Sequence, residues 1–178
     1  MADTEVDRLR SRGSPAHDGL AARLAAFDAG DSSLHLELQP ARWALRLLDE
    51  TRQSLVSVCV VRSRDGRWLA GRRATWVSTW AGRWALGAAG AVEVGESPVE
   101  TLTRELREEW RLEAEALSVE ALVKLPNELV MLIGVATVPD DCSPAPDAEH
   151  DAWAWWPEHP ASWPSDAHDG LRRLASLL

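Results

Sequence analysis

Tyrosine is absent from this 178-residue chain, phenylalanine occurs once and cysteine twice. The two cysteines, Cys59 and Cys142, imply no disulfide framework, so the fold has to rest on its hydrophobic core, and the cytoplasm is the default compartment. Cys59 lies within an apolar run and reads as a small buried hydrophobe. No run of about 18 apolar residues occurs, so neither a membrane-spanning helix nor a membrane partner is expected. Residues 1–13 are charged and lack an apolar signal core, so export is not expected either. Positive charge is scarce: 19 Lys and Arg stand against 28 Asp and Glu, a net charge of −9. Such a surface repels a nucleic-acid polymer unless a local basic patch offsets it. The local grouping available, Arg72, Arg73 and Arg83, suits a few phosphates of a small ligand and equally a solvated turn.

Tryptophan is in excess, with ten residues. Most of these should serve packing. Hydrophobic residues make up 46%, enough for the core of one domain of ordinary size.

Residues 1–17 read as a flexible leader. Leu20, Leu24 and Phe27 fall on one face of a short Ala-rich helix. Residues 34–38 alternate as a strand does, and residues 40–49 fit both periods. The pattern sharpens after Gln53. A β-branched run over 55–61 predicts a buried strand, Asp65-Gly66 a hairpin turn, and 67–73 the returning strand. Residues 75–83 form a Trp-rich loop, and residues 84–95, dense in Gly and Ala, cannot hold a helix. Ser97-Pro98-Val99-Glu100 starts one: Ser caps, Pro takes the first helical position and Glu completes a capping box. That helix runs to about Trp110. Strands follow over 117–125 and 129–138, then an acidic loop over 139–147, a last strand over 152–156, and an amphipathic helix marked by Leu171, Leu174 and Leu178. This order predicts an α/β class sandwich with a mixed sheet. It divides the chain into an N-terminal extension over 1–52 and a main domain over 53–178.

The chemistry lies between Gly90 and Leu112. Glu105, Glu108 and Glu109 stand at i, i+3 and i+4 and share one face of the helix, beside an apolar face of Val99, Leu102, Leu106 and Trp110. Clustered Glu on a helix is most often a solvated face. Three like charges within a turn nevertheless destabilise a helix unless something compensates, and a hard divalent cation such as Mg²⁺ does so while bridging carboxylates to substrate phosphates. The Gly-rich loop ahead of the helix lets backbone approach a ligand closely.

The full spacing decides between the two readings. Gly90 is followed after five residues by Glu96 and after seven more by Arg104-Glu105-Leu106; Glu108-Glu109 and Leu112 complete the run. This closely resembles the Nudix box, GX5EX7REUXEEXGU, with U a bulky aliphatic residue. Arg111 is the single departure, where the family usually has Gly. The resemblance covers roughly residues 53–178 and implies a Nudix-type α/β/α sandwich. It implies a hydrolase cleaving a diphosphate linkage in a nucleoside di- or triphosphate or a nucleoside diphosphate derivative, by water attack on phosphorus with Mg²⁺ or Mn²⁺. Glu105, Glu108 and Glu109 become the metal ligands, with Glu96 and Arg104 orienting and charge-balancing them, and Gly90 belongs to the loop of the site. The general base is Glu108 or Glu109, or an acidic residue on a later loop, for which Glu149 ranks ahead of Asp147. Arg72, Arg73 and Arg83 are candidates for gripping phosphates, and Trp80, with Trp76 and Trp84, for stacking on a base. Trp76 and Trp80 packing on each other is the alternative.

Two rivals accompany this reading. Isopentenyl diphosphate isomerases share the fold, but that resemblance implies a Cys just before the box, where Ala88 and Ala89 stand, the nearest Cys lying far away in a strand. A ligand sensor on the same fold typically loses box carboxylates, and here all are retained. The extension leaves a homodimer open.

Overall fold

The computed structural model describes residues 2–11, 19–31, 33–44 and 53–178. Its central layer is a mixed sheet whose strands lie in the order Trp84–Leu86, Trp68–Arg73, Leu55–Ser63, Val130–Val138 and Ala116–Lys124. β3 (Leu55–Ser63) runs parallel to β8 (Val130–Val138) and antiparallel to β6 (Ala88–Ala91). Through the Asp65-Gly66 turn β3 returns as β4 (Trp68–Arg73), which is flanked by β5 (Trp84–Leu86) and β9 (His150–Trp156). β7 (Ala116–Lys124) closes the edge against β8. The strand over 55–61, the hairpin and the non-helical 84–95 stretch all form as expected.

Strand alternation gives the sheet two apolar faces. On one, Cys59, Val61, Leu69, Ala88, Leu132 and Ala136 pack under Leu102, Leu106 and Trp110 of α2 (Pro98–Trp110). On the other, Val60, Trp68, Ala70, Ile133 and Trp156 pack against Trp163, Ala167 and α3 (Asp169–Ala175). This is the expected α/β/α sandwich. Among the described residues no helix is long and apolar enough to cross a membrane.

The extension departs from its sequence reading. Ala2–Ser11 is a helix, α1, docked through buried Val6 on Ala44 and by an Asp3–Arg42 ion pair, so this part of the flexible leader is ordered; residues 12–18 lie outside the described ones. Leu20–Ala29 is a strand, β1, paired antiparallel with β2 (Leu34–Arg42), and the helix expected over Leu20, Leu24 and Phe27 does not form. The reason is burial at period two. Ala22 and Leu24 point inward onto Leu55, Val92 and Val130, while Leu20 and Phe27 stay exposed. Ala22 N–H and Leu24 N–H donate to the carbonyls of Val92 and Gln53, so cross-strand pairing overrides the helical preference of Ala-rich sequence. Of the ambiguous stretch 40–49, Pro40–Arg42 end β2, residues 43–44 make a helical turn, and 45–49 lie outside the described residues.

Candidate functional site

Helix α2 begins as its sequence dictates. The Ser97 side chain accepts from Glu100 N–H, the Glu100 carboxylate accepts from Ser97 N–H, and Pro98 occupies the first turn. Its buried stripe holds Pro98, Leu102, Leu106 and Glu109, while Val99 is exposed and does not join the apolar face expected of it. A 3.6-residue repeat explains the carboxylates as well: Glu109, Glu105 and Glu108 lie about 20°, 60° and 120° around the axis from Leu102. Their side-chain exposures rise in that order, 6%, 12% and 58%.

Arg104 organises the outer part of the group. Its Nε and a terminal nitrogen grip both oxygens of Glu96 at 2.9 and 3.0 Å, and its other terminal nitrogen reaches Glu105 at 2.6 Å and Glu108 at 3.2 Å. A further bond to the Ala91 carbonyl ties the helix to β6. Glu96 also accepts from Thr101 Oγ1. Burial raises the Glu96 pKa, but the Arg104 and Thr101 bonds outweigh it and the net value falls below the ordinary one. Gly90 is needed for space: a Cβ there would stand 1.7 Å from Glu105 Oε1.

The inner part is drier. Glu109 Oε1 accepts from Ala89 N–H at 3.1 Å, and its buried Oε2 has no hydrogen-bond partner among the described residues. Arg73 lies 4.0 Å from that oxygen and bonds Glu149 at 2.9 Å. Burial holds the Glu109 pKa well above the ordinary value; Arg73 opposes this, while Glu105 and Glu149 add to it. Glu105 is raised too, chiefly by burial, with Glu108 and Glu149 adding and Arg104 opposing. Glu149 thus faces the same space as Glu105 and Glu109, with Glu108 on the rim. Asp147 N–H caps the helix at the Glu109 carbonyl, and its carboxylate accepts from Glu149 N–H. Among the described residues no three acidic, His or Cys side chains form a closed ligand set.

The three arginines separate. Arg73 points with Leu69 and Gly71 to the α2 face, whereas Arg72 points with Trp68 and Ala70 to the other and pairs with Asp151. There Arg72 and Arg83 line a cavity of about 290 Å³ with Gly82, Trp84, Asp166 and His168. Trp80 packs edge-on against His168 rather than on Trp76, and Trp84 donates to Asp166. The expectation that the nearest Cys lies far from residues 88–89 also fails: β6 pairing sets Cys59 directly opposite Ala88. The thiol is fully buried and pushed up to about 12, by burial first and by Glu109 second. Sequence reasoning passed over His150 and Gly71, although a glycine within a strand signals a close approach.

Residues 51–178 match the NUDIX domain family. No curated protein sequence matches at a significant level. Solved structures similar to this chain include a Deinococcus radiodurans protein (TM-score 0.59, 21% identity, 87% of this chain and 96% of that one). Others are the MutT NUDIX hydrolase from Burkholderia pseudomallei (0.56, 21%, 70% and 97%) and the NUDIX domain of Shewanella oneidensis NrtR in complex with ADP ribose (0.57, 20%, 71% and 86%). At such identities the likeness is one of fold.

Proposed function

The chain belongs to the NUDIX domain family, and from that premise we propose that it hydrolyses a diphosphate linkage in a nucleoside di- or triphosphate or a nucleoside diphosphate derivative, with Mg²⁺ or Mn²⁺ as cofactor. In this reading residues 53–178 are the hydrolytic domain and 1–52 an extension clasped onto it. The observation that carries it is the unpartnered, buried Oε2 of Glu109 facing Glu105 and Glu149. Leaving a buried carboxylate oxygen without a partner is costly, and keeping three carboxylates close together is costlier still, unless a cation joins them.

The donors fit a hard divalent ion: oxygen only, on Glu105, Glu108 and Glu109. Once bound, such an ion neutralises the diphosphate and lowers the pKa of water. The protein's residues do the rest. Arg104 and Glu96 hold Glu105 and Glu108 in place, Arg73 orients Glu149, and Glu149, Glu108 or Glu109 takes the proton of the attacking water. The leaving phosphate departs on the side opposite the incoming oxygen. Of the cations expected to grip phosphates, only Arg73 faces this site; Arg72 and Arg83 line the cavity on the other face of the sheet, with Trp80 nearby, and take no part in this reading.

The sensor alternative shares this fold, but the retained carboxylates favour turnover. The isomerase alternative loses support from Cys59, a buried thiol held protonated. Free cysteines suit a reducing compartment, the cytoplasm. The test is a screen of nucleoside polyphosphates, ADP-ribose and dinucleotides with Mg²⁺, scored by phosphate or pyrophosphate release with and without excess chelator. Turnover only with free metal is expected; full turnover in chelator overturns the reading.

A further inference from the structure

A histidine stands behind the carboxylates. The His150 side chain is 1% exposed, and both ring nitrogens face acidic oxygens. Nδ1 lies 3.4 Å from Asp147 Oδ1, and Nε2 lies 3.8 Å from Glu109 Oε2. The ring packs on Trp110, with centroids 4.6 Å apart. β4 makes room for this packing by carrying glycine: a Cβ on Gly71 would come within 2.5 Å of His150 Cδ2 and 2.7 Å of Trp110 Cζ2. A residue placed only to fill a dry slot between a tryptophan and a strand would be apolar. This one is polar at both ends, and each end has an acidic neighbour.

The neighbours of Glu109 give that arrangement a purpose. Oε1 is fixed by Ala89 N–H. Oε2 is flanked by Arg73 and His150, but Arg73 is already engaged with Glu149. His150 is the neighbour with a fixed seat, held by Asp147 on one side and the Trp110–Gly71 slot on the other. We propose that His150 is a positioning residue, whose Nε2 end sets the orientation of the Glu109 carboxylate toward the space it shares with Glu105 and Glu149. Asp147 then serves by orienting His150 and fixing Glu149 N–H, rather than by touching substrate.

This inference rests on the metal-dependent reading of the site. Its test compares two amides by Mn²⁺ titration, followed by electron paramagnetic resonance, and by steady-state kinetics. His150→Gln places its nitrogen near the Nε2 position. His150→Asn places it near Nδ1 and keeps only the Asp147 contact. His150→Asn should weaken Mn²⁺ binding and lower kcat, each about tenfold, with KM within about twofold, the scale seen when a group orienting a metal ligand is removed. His150→Gln should keep both within about threefold. Melting curves establish that each variant is folded. Equal losses in the Gln and Asn variants would make the imidazole a packing element and overturn the inference, as would Mn²⁺ affinity unchanged in His150→Asn. Wild-type protein that takes up no Mn²⁺ overturns the metal reading, and this inference with it.

Discussion

Glu108 and Glu109 are adjacent in sequence, yet one faces solvent and the other a nearly dry pocket. Glu108→Gln and Glu109→Gln should each lower kcat by about 10²-fold or more with the fold intact, the usual effect of losing a key electrostatic or proton-transfer group. They should differ in stability. The folded state of metal-free protein holds a proton on Glu109 above the ordinary value of 4.5, where the unfolded chain has already released it. Stability is therefore full below that value and falls as pH rises toward the raised folded one, with Glu105 contributing in the same direction. Melting temperatures of chelator-treated wild type should decline as pH rises above about 4.5, and Glu109→Gln should flatten the decline while Glu108→Gln leaves it. A wild-type profile that climbs over this range would contradict the assignment. The burial of Glu109 was legible, since it lies seven residues after Leu102 on the inward stripe. The approach of Arg73 and Glu149 was not, because it depends on β4 and β9 pairing across some 75 residues of chain.

At the scale of the element, α2 shows how a departure from a family pattern is absorbed. Arg111 adopts the left-handed conformation, φ 56° and ψ 33°, that the usual Gly would take; its N–H bonds the Arg107 carbonyl, and Leu112 N–H reaches back to the Leu106 carbonyl. The helix therefore stops in a strained cap with a cation at its end instead of running on for another turn. Arg111→Gly removes a strain of about 1 kcal/mol, so the melting temperature should rise by roughly 2–4 °C. Because Arg111 lies past the carboxylates, kcat should stay within about threefold; a tenfold loss of kcat with an unchanged melting curve would place Arg111 in the chemistry. The start of α2 was readable to the residue, because caps are local. In the β1–β2 hairpin the alternation over 34–38 announced β2, but β1 was not readable: its Ala-rich sequence favours a helix, and pairing with β2 and bonds to Val92 and Gln53 make it a strand.

For the molecule as a whole, the hairpin acts as a clasp. The Deinococcus radiodurans structure matches 87% of this chain, more than residues 51–178 alone comprise, so part of the extension has a counterpart in that fold. Leu24 anchors the clasp on Leu55, Val92 and Val130. Leu24→Ala should destabilise the protein by about 2 kcal/mol or more while kcat at low temperature is unchanged; a melting curve identical to wild type would show that the hairpin contributes nothing to the body. The fully buried Cys59 thiol, across the sheet pair from Ala88 and near Glu109, has one more consequence. Cys142 is partly accessible, so an alkylating reagent meets it first, and Cys59 reacts only when the strands beneath α2 come apart. The chain thus carries a built-in clock for its own opening. Any compound that binds the closed form slows that clock in proportion to its saturation, so true ligands can be ranked by mass spectrometry under conditions where none of them is turned over.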